Sequence, residues 1–244
     1  MKGLNDLINQ LPDADVKEVG ICDKCKRRLY TVDGSDVVGC ECDVIKESQD
    51  DLKSQKSKAF SSNSIITDFY REKRLNDYNA ETDEQKHAKE VAKQYILNFD
   101  ERIEKGTNLL FTGSFGTGKT HIAASIRNAL VARNYKVFYI SLPDYLTEIK
   151  RAFNDTEKQY VYDRMIKECD LLVLDDVGAN RMTDFEVAEL FKLVDSRTGK
   201  CTIYTTNLSS KDFNKTFDLR RAFSRMMHNT QVIVLNGADY RQEF

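Results

Sequence analysis

Residues 113–120 carry the clearest chemical pattern in the sequence. They spell Gly-Ser-Phe-Gly-Thr-Gly-Lys-Thr, which fits G-x-x-x-x-G-K-[ST] at every position. Glycines permit a tight loop whose backbone N–H groups turn inward and hold phosphates at a helix N-terminus. In such a loop Lys119 reaches the β- and γ-phosphates, and the Thr120 hydroxyl binds Mg²⁺. The predicted nucleotide-binding residues are Gly113, Ser114, Phe115, Gly116, Thr117, Gly118, Lys119, Thr120 and His121.

The segments on either side of this loop argue against a chance glycine-rich turn. Residues 108–112 are typical of a buried strand, and residues 121–132 carry apolar side chains at helical spacing. A phosphate-binding loop requires this strand-loop-helix setting.

Two carboxylates follow a second apolar strand. Residues 171–174 are Leu-Leu-Val-Leu, and Asp175 and Asp176 come directly after them. Because the carboxyl ends of parallel strands meet at one edge of a sheet, we expect Asp175 beside the loop, where it can hold Mg²⁺. Asp176 is then the candidate base for the attacking water.

Asn207 lies at the tip of another predicted strand, residues 201–206. An amide at this edge of the sheet can hydrogen-bond the water or the γ-phosphate. The sequence Asn-Leu-Ser is also typical of a helix cap, so a structural role for Asn207 remains the alternative.

Four cysteines near the N-terminus form two close pairs, Cys22 with Cys25 and Cys40 with Cys42. Zinc prefers four soft ligands in a tetrahedron, and such paired spacing supplies them. A segment this small cannot bury its own core, so metal binding would fold it. A redox C-x-x-C is the alternative, but no βαβ pattern surrounds Cys22. We therefore predict one structural Zn²⁺.

The overall composition limits the remaining choices. With 244 residues, of which 41% are hydrophobic, the chain can hold one ATPase-sized domain and a smaller module. A formal net charge of -2 provides no global attraction to nucleic acid. No apolar run approaches membrane-spanning length, and residues 1–6 lack the apolar segment of a signal peptide, so we expect a cytoplasmic protein without membrane contact.

The order of elements predicts the domain organisation. We expect a zinc module at residues 1–45, a polar linker or exposed helix at 46–62, and an ATPase domain at 63–244. In the last segment, apolar strands alternate with helical patterns, which is typical of an α/β fold with a parallel sheet flanked by helices.

The region from about Phe60 to Arg241 resembles the DnaC/DnaI/IstB family of AAA+ ATPases. The motifs that carry the resemblance are Asn98–Asp100, Gly113–Ala124, Leu174–Ala179, Thr205–Ser209, Ser224–Met226 and Asp239–Arg241. The resemblance implies an AAA+ core without the usual helical lid, ATP and Mg²⁺ as ligands, and self-association through the ATP sites. It also implies that Asn207 is sensor I, Arg225 the arginine finger with Arg221 as the alternative, and Arg241 the sensor II residue.

The N-terminal cysteines make the chain similar to replicative helicase loaders of the DnaI type, whose zinc-bearing domain engages the helicase hexamer. The expected function is ATP-dependent loading of that helicase onto single-stranded DNA. Transposition helpers of the IstB type share the ATPase but do not usually carry this module. A helper of that type and an ATP-switched adaptor that hardly hydrolyses are the alternative functions.

Two departures from the family pattern bear on these expectations. Asp176 stands where most AAA+ proteins carry Glu, and its side chain is one methylene shorter, so we expect slow hydrolysis. The cluster consists of four cysteines, whereas some relatives include a histidine, so the geometry toward the partner can differ.

A helical insertion at residues 150–167 mixes basic and aromatic residues. These are Lys150, Arg151, Phe153, Lys158, Tyr160, Tyr162, Arg164 and Lys167. In the family the corresponding helices contact single-stranded DNA, and such side chains suit phosphates and stacked bases. A solvated amphipathic helix explains the same residues, and both interpretations stay open at this point.

Overall fold

The computed structural model describes residues 15–34, 37–152, 155–178, 182–237 and 239–240. The chain divides into two compact units, Met1–Lys53 and Ser54–Phe244. Within the described residues, no helix combines the length and the apolar character that crossing a bilayer requires.

The first unit is built on a β-hairpin. Strands β1 (Val16–Ile21) and β2 (Arg28–Val32) pair antiparallel, with an irregularity between Glu18 and Gly20. The turn between them begins at Cys22, whose carbonyl accepts a 2.8 Å hydrogen bond from the Lys26 backbone N–H. The hairpin thus sets the first cysteine pair on a tight turn.

Helix α1 (Cys42–Ser62) includes the whole of the predicted linker at residues 46–62. Its second half belongs to the larger unit, where Phe60 is buried and the Ser57 hydroxyl donates a 2.7 Å hydrogen bond to the Tyr135 carbonyl. The polar sequence predicted a linker or an exposed helix. Ser57 and Phe60, on the last turns of α1, are instead buried. The predicted domain limits at 45/46 and 62/63 stay predictions.

The larger unit contains a five-stranded parallel sheet with the order β4-β5-β6-β3-β7. The strands are β3 (Asn108–Gly113), β4 (Val137–Ser141), β5 (Leu171–Asp175), β6 (Cys201–Thr206) and β7 (Thr230–Leu235). The helices are α2 (Asp68–Arg71), α3 (Asp83–Leu97), α4 (Phe99–Lys105), α5 (Lys119–Ala132), α6 (Leu142–Arg151), α7 (Thr156–Glu168), α8 (Asp184–Ser196), α9 (Ser210–Phe213) and α10 (Phe217–Met226).

Alternate residues of each strand pack on opposite faces of the sheet. In β3, Leu109 and Phe111 join one core with α3 and α5, whereas Leu110 joins a second core with α6, α8 and α10. Because both faces are covered, every residue of β5 and β6 is buried, including the threonines of β6. The predicted α/β fold class is therefore confirmed.

Three inner strands end at the same edge of the sheet. Register pairs Thr112 of β3 with Thr206 of β6, and Leu174 of β5 with Tyr204 of β6. The loops that follow β3, β5 and β6 therefore meet at the carboxyl edge. In open parallel sheets, ligands bind at this edge.

Candidate nucleotide site

The phosphate loop (Gly113–Thr120) connects β3 to the first turn of α5. Gly118 caps this helix with φ +88°, and a side chain there would place its Cβ 2.4 Å from the Tyr78 ring. Only glycine satisfies both the left-handed backbone and this close approach. The loop therefore leads directly into the α5 N-terminus, and a helix N-terminus attracts phosphate.

The Lys119 side chain lies inside the loop and is almost fully buried. Its ammonium donates a 3.1 Å hydrogen bond to the Gly113 carbonyl and another to the Ser114 carbonyl. It also contacts Thr117 Oγ1 at 3.4 Å. An ammonium group in this position can bind a polyphosphate. It only has to turn from the carbonyl oxygens toward the phosphates.

Asp175 ends β5 and is 4% exposed. Its Oδ1 accepts hydrogen bonds from the Thr120 hydroxyl at 3.1 Å and from the Thr205 hydroxyl. Two oxygens that share an octahedral Mg²⁺ also lie roughly 3 Å apart, because each is about 2.1 Å from the metal. The Thr120 and Asp175 oxygens therefore fit the predicted Mg²⁺ site.

Asp176, the next residue, turns out of the strand with φ +54° and is exposed. It lines a cleft of about 380 Å³ together with the phosphate loop. A non-glycine residue in the left-handed region is uncommon and is often found at functional sites. The turn brings a second carboxylate to the cleft, and its role as the base stays a prediction.

Asn207 follows β6 and lines the same cleft. Its Oδ1 is buried and accepts no hydrogen bond from the described residues. A buried acceptor without a donor is costly, so this oxygen needs a ligand such as water. This favours a role at the site over the structural cap that the sequence left open.

Aromatic residues from distant segments complete the cleft, and the sequence motifs gave no indication of Tyr70 and Tyr78. Tyr70 of α2 and Tyr240 line it together with His121, and the Tyr78 hydroxyl donates a 3.0 Å hydrogen bond to the Thr117 carbonyl. Burial lowers the pKa of His121, so its imidazole is neutral at pH 7. Neutral aromatic walls suit a nucleotide base.

The two candidate arginine fingers lie on α10 and are absent from the described residues that line the cleft. The Arg225 Nε is 2.9 Å from Asp195 Oδ1 of α8, and both side chains are half exposed. Arg221 stacks on the Phe191 ring at 4.5 Å. Arg241, the candidate sensor II residue, lies outside the described residues.

Cations of the 150–167 insertion pair with acids of the same chain. Lys150 contacts Glu186 at 2.8 Å, Arg151 contacts Glu148 at 2.8 Å, and Arg164 contacts Glu168 at 3.2 Å. The three cations are more than half exposed, and ion pairs at the surface contribute up to about 1 kcal/mol each, so a nucleic acid phosphate can displace the acids. DNA binding by this segment stays a prediction.

The four predicted zinc ligands lie together in the first unit. The sulfurs of Cys22, Cys25, Cys40 and Cys42 are all within 4.8 Å of one another. The Cys40 Sγ is 3.3 Å from that of Cys22 and 3.5 Å from that of Cys25. Sulfurs around tetrahedral Zn²⁺ lie roughly 3.8 Å apart, since each is about 2.3 Å from the metal. The cluster therefore fits the ion.

The pKa values of the cluster thiols are shifted in opposite directions. A hydrogen bond from the Cys25 backbone N–H lowers the pKa of Cys22 to about 6, so this thiol ionises first. Hydrogen bonds with the Cys40 and Cys25 sulfurs raise the pKa of Cys42 to about 12. A divalent cation among the sulfurs favours the thiolate form of all four cysteines.

Comparison with known proteins identifies the family. A family model described as "IstB-like ATP binding protein" matches residues 44–243. The chain belongs to this family. The cysteine cluster of this IstB-like chain precedes the matched residues.

Two relatives whose names state different roles match this chain. The replicative helicase loader DnaC of Escherichia coli (strain K12) is 29% identical over 170 residues, which cover 68% of this chain and 67% of the loader. A putative ATP-binding protein of insertion sequence IS232 from Bacillus thuringiensis subsp. berliner is 31% identical over 160 residues, which cover 62% of this chain and 63% of that protein.

A solved structure shares the fold of this IstB-like chain. The crystal structure of the DnaC helicase loader matches with a TM-score of 0.61 at 23% identity, covering 69% of this chain and 99% of the loader. The larger unit therefore has the AAA+ P-loop fold, as predicted.

Proposed function

We propose that this IstB-like protein is an ATP-dependent loader that places a replicative helicase hexamer on single-stranded DNA. The observation that carries the proposal is the combination of a complete phosphate-loop site with a separate four-cysteine cluster ahead of it. The 29% identity to the E. coli helicase loader supports it. The proposal places the protein in the cytoplasm, with the DNA on which it acts.

The phosphate loop and the residues at the ends of β5 and β6 have proposed tasks in ATP hydrolysis. The loop N–H groups and Lys119 bind and orient the β- and γ-phosphates, while Thr120 and Asp175 hold Mg²⁺. Asp176 accepts a proton from the attacking water, and the unpaired Asn207 Oδ1 orients that water. Bound Mg²⁺ would supply positive charge to the phosphate oxygens.

Three further proposals follow from the resemblance to AAA+ proteins. The short Asp176 side chain makes hydrolysis slow, so ATP acts mainly as a switch. Arg225, or Arg221 in its place, completes the site of a neighbouring subunit, and Arg241 acts as sensor II. Self-association through the ATP sites follows from this arrangement.

Metal analysis tests the proposed zinc site. We expect purified protein to carry about one equivalent of Zn²⁺ and Cys40→Ser to carry less than roughly a fifth of that, because one of four tetrahedral ligands is lost. Cys169→Ala is the matched control, since its thiol is buried in the larger unit and contacts the Ile166 carbonyl. Equal zinc in Cys40→Ser and Cys169→Ala would contradict the site.

The role of the first unit is testable with the source organism's replicative helicase. A chain that begins at Ser54, where the second compact unit starts, should keep ATP affinity within about threefold and lose helicase binding. This start preserves Ser57, whose hydroxyl donates a hydrogen bond to the Tyr135 carbonyl. Binding is measured by sedimentation or light scattering. Full helicase affinity in the truncated chain would place the interface elsewhere.

A transposition helper is the second candidate function, and the 31% identity to the insertion-sequence protein favours it. The family model does not separate the two, because its match begins at residue 44, after the cysteines. Partner choice separates them. A loader binds a replicative helicase, whereas a helper binds a transposase.

A further inference from the structure

The Thr205 hydroxyl lies between the Asp175 carboxylate and the backbone of Asp176. It donates a hydrogen bond to Asp175 Oδ1 and accepts one of 2.9 Å from the Asp176 backbone N–H. Thr205 is 1% exposed, so neither hydrogen bond competes with bulk water. One hydroxyl on β6 therefore contacts both residues at the end of β5.

These contacts support an uncommon backbone geometry. Asp176 has φ +54°, a conformation that costs a non-glycine residue roughly 1 kcal/mol or more. The Val177 N–H donates a 2.9 Å hydrogen bond to the Thr205 carbonyl, so backbone and hydroxyl of Thr205 hold both sides of the turn. The direction of the Asp176 side chain thus depends on Thr205.

Tyr139 holds the other oxygen of Asp175 from the opposite neighbouring strand, β4. Its hydroxyl donates to Asp175 Oδ2, and burial together with the Asp175 charge raises the pKa of Tyr139, so the phenol keeps its proton. The Tyr139 backbone N–H donates to Ser64 Oγ at 3.0 Å, and its carbonyl accepts from the Ile65 N–H at 2.9 Å. Buried hydroxyl groups on the two neighbouring strands, β6 and β4, therefore orient both carboxylate oxygens of Asp175.

We propose that Thr205 and Tyr139 are the positioning residues of the metal-binding acid, and that Thr205 also sets the turn that aims Asp176 into the cleft. The inference rests on the proposed function, because it presupposes ATP and Mg²⁺ in this cleft. Hydrogen bonds to a metal ligand fix its orientation before the metal arrives, and their loss typically costs 10- to 100-fold in metal affinity or activity.

Thr205→Val tests the proposal, because valine keeps the branched shape and removes the hydroxyl. Affinity for a fluorescent ATP analogue is measured in EDTA and across a Mg²⁺ titration. In EDTA the variant should bind within about twofold of wild type. The quantity compared is the Mg²⁺ concentration that gives half of the Mg²⁺-dependent increase in nucleotide affinity. In Thr205→Val this concentration should rise roughly 10- to 100-fold. In Thr205→Ser it should lie within about threefold of the wild-type value.

Thr206→Val is the matched control on the same strand. Thr206 is equally buried, and its hydroxyl donates to the Val177 carbonyl at 2.6 Å and accepts from the Leu208 N–H at 3.0 Å. Thr206→Val therefore removes two side-chain hydrogen bonds, as Thr205→Val does, but neither of them involves a carboxylate. Its Mg²⁺ requirement should stay near that of wild type.

Tyr139→Phe provides a second test if Thr205→Val does not fold. Its control is Tyr95→Phe, because Tyr95 is also buried and its hydroxyl donates to the Thr107 carbonyl at 2.8 Å. Tyr139→Phe should raise the Mg²⁺ requirement roughly tenfold, and Tyr95→Phe should not.

The outcomes separate this inference from the proposed function. If wild type binds nucleotide, and Thr205→Val and Tyr139→Phe need no more Mg²⁺ than their controls, the positioning role is wrong and the ATP site stands. If wild type binds no nucleotide in either buffer, the proposed function fails and this inference fails with it.

Discussion

Replacing Lys119 with alanine should lower ATP affinity at least about 100-fold and abolish hydrolysis. Hydrogen bonds to charged groups contribute roughly 1.5–3 kcal/mol each, and 1.4 kcal/mol is a factor of ten in affinity. The Lys119 ammonium already lies in the loop against the Gly113 carbonyl, so it needs little movement to reach two phosphates. Equilibrium binding of ATP, with Mg²⁺ present, measures the effect.

Lys89→Ala is the control for this experiment. The Lys89 ammonium donates a 2.8 Å hydrogen bond to the carbonyl of Tyr78, the tyrosine that packs on the phosphate loop, but Lys89 does not line the cleft. Its loss should change ATP affinity by less than about threefold. Equal ATP affinity in wild type and Lys119→Ala would show that nucleotide does not bind at this loop.

Replacing Arg225 with alanine should leave ATP binding near wild type and reduce hydrolysis by about 10³-fold or more, the range measured for arginine fingers in GTPases. A guanidinium facing the γ-phosphate stabilises charge that grows as the bond breaks. The exposed ion pair with Asp195 contributes about 1 kcal/mol at most, so it does not prevent Arg225 from reaching a neighbour. Steady-state phosphate release measures the rate.

Asp195→Ala separates the finger from a merely structural ion pair. If Arg225 acts on a neighbouring site, this variant keeps its hydrolysis rate because the guanidinium is still present. If the ion pair itself matters, Asp195→Ala and Arg225→Ala lose activity alike.

Mixing Lys119→Ala with Arg225→Ala subunits should restore some activity, since the first supplies its arginine to the intact loop of the second. If the mixture stays inactive while wild-type subunits associate and hydrolyse ATP, Arg221 becomes the next candidate.

The parts of the site that follow from local patterns were predictable from the sequence. The loop between β3 and α5 follows from glycine spacing between an apolar strand and an amphipathic helix. Asp175 follows from its place after an apolar strand, because parallel strands end at a common edge. In both cases a short segment determines the geometry without help from distant residues.

Contacts made by tertiary packing were not predictable. Tyr78 lies 39 residues before Thr117, whose carbonyl it binds. Tyr139 looks like an ordinary apolar strand residue, yet its hydroxyl reaches Asp175. Strand β1 was also missed, because its alternation of Val, Lys and Glu is short and Gly20 interrupts it. Contacts between distant residues leave no local periodicity in the sequence.

Helicase loading on a closed circle of single-stranded DNA tests the central claim most directly. A helicase ring cannot thread onto a closed circle unless it opens, so retention of helicase on the circle after a salt wash measures loading. We expect retention with wild-type protein and ATP, and little retention with Lys119→Ala or without this protein. Retention that is the same with and without the protein, or a protein that binds a transposase and ignores the helicase, would contradict it.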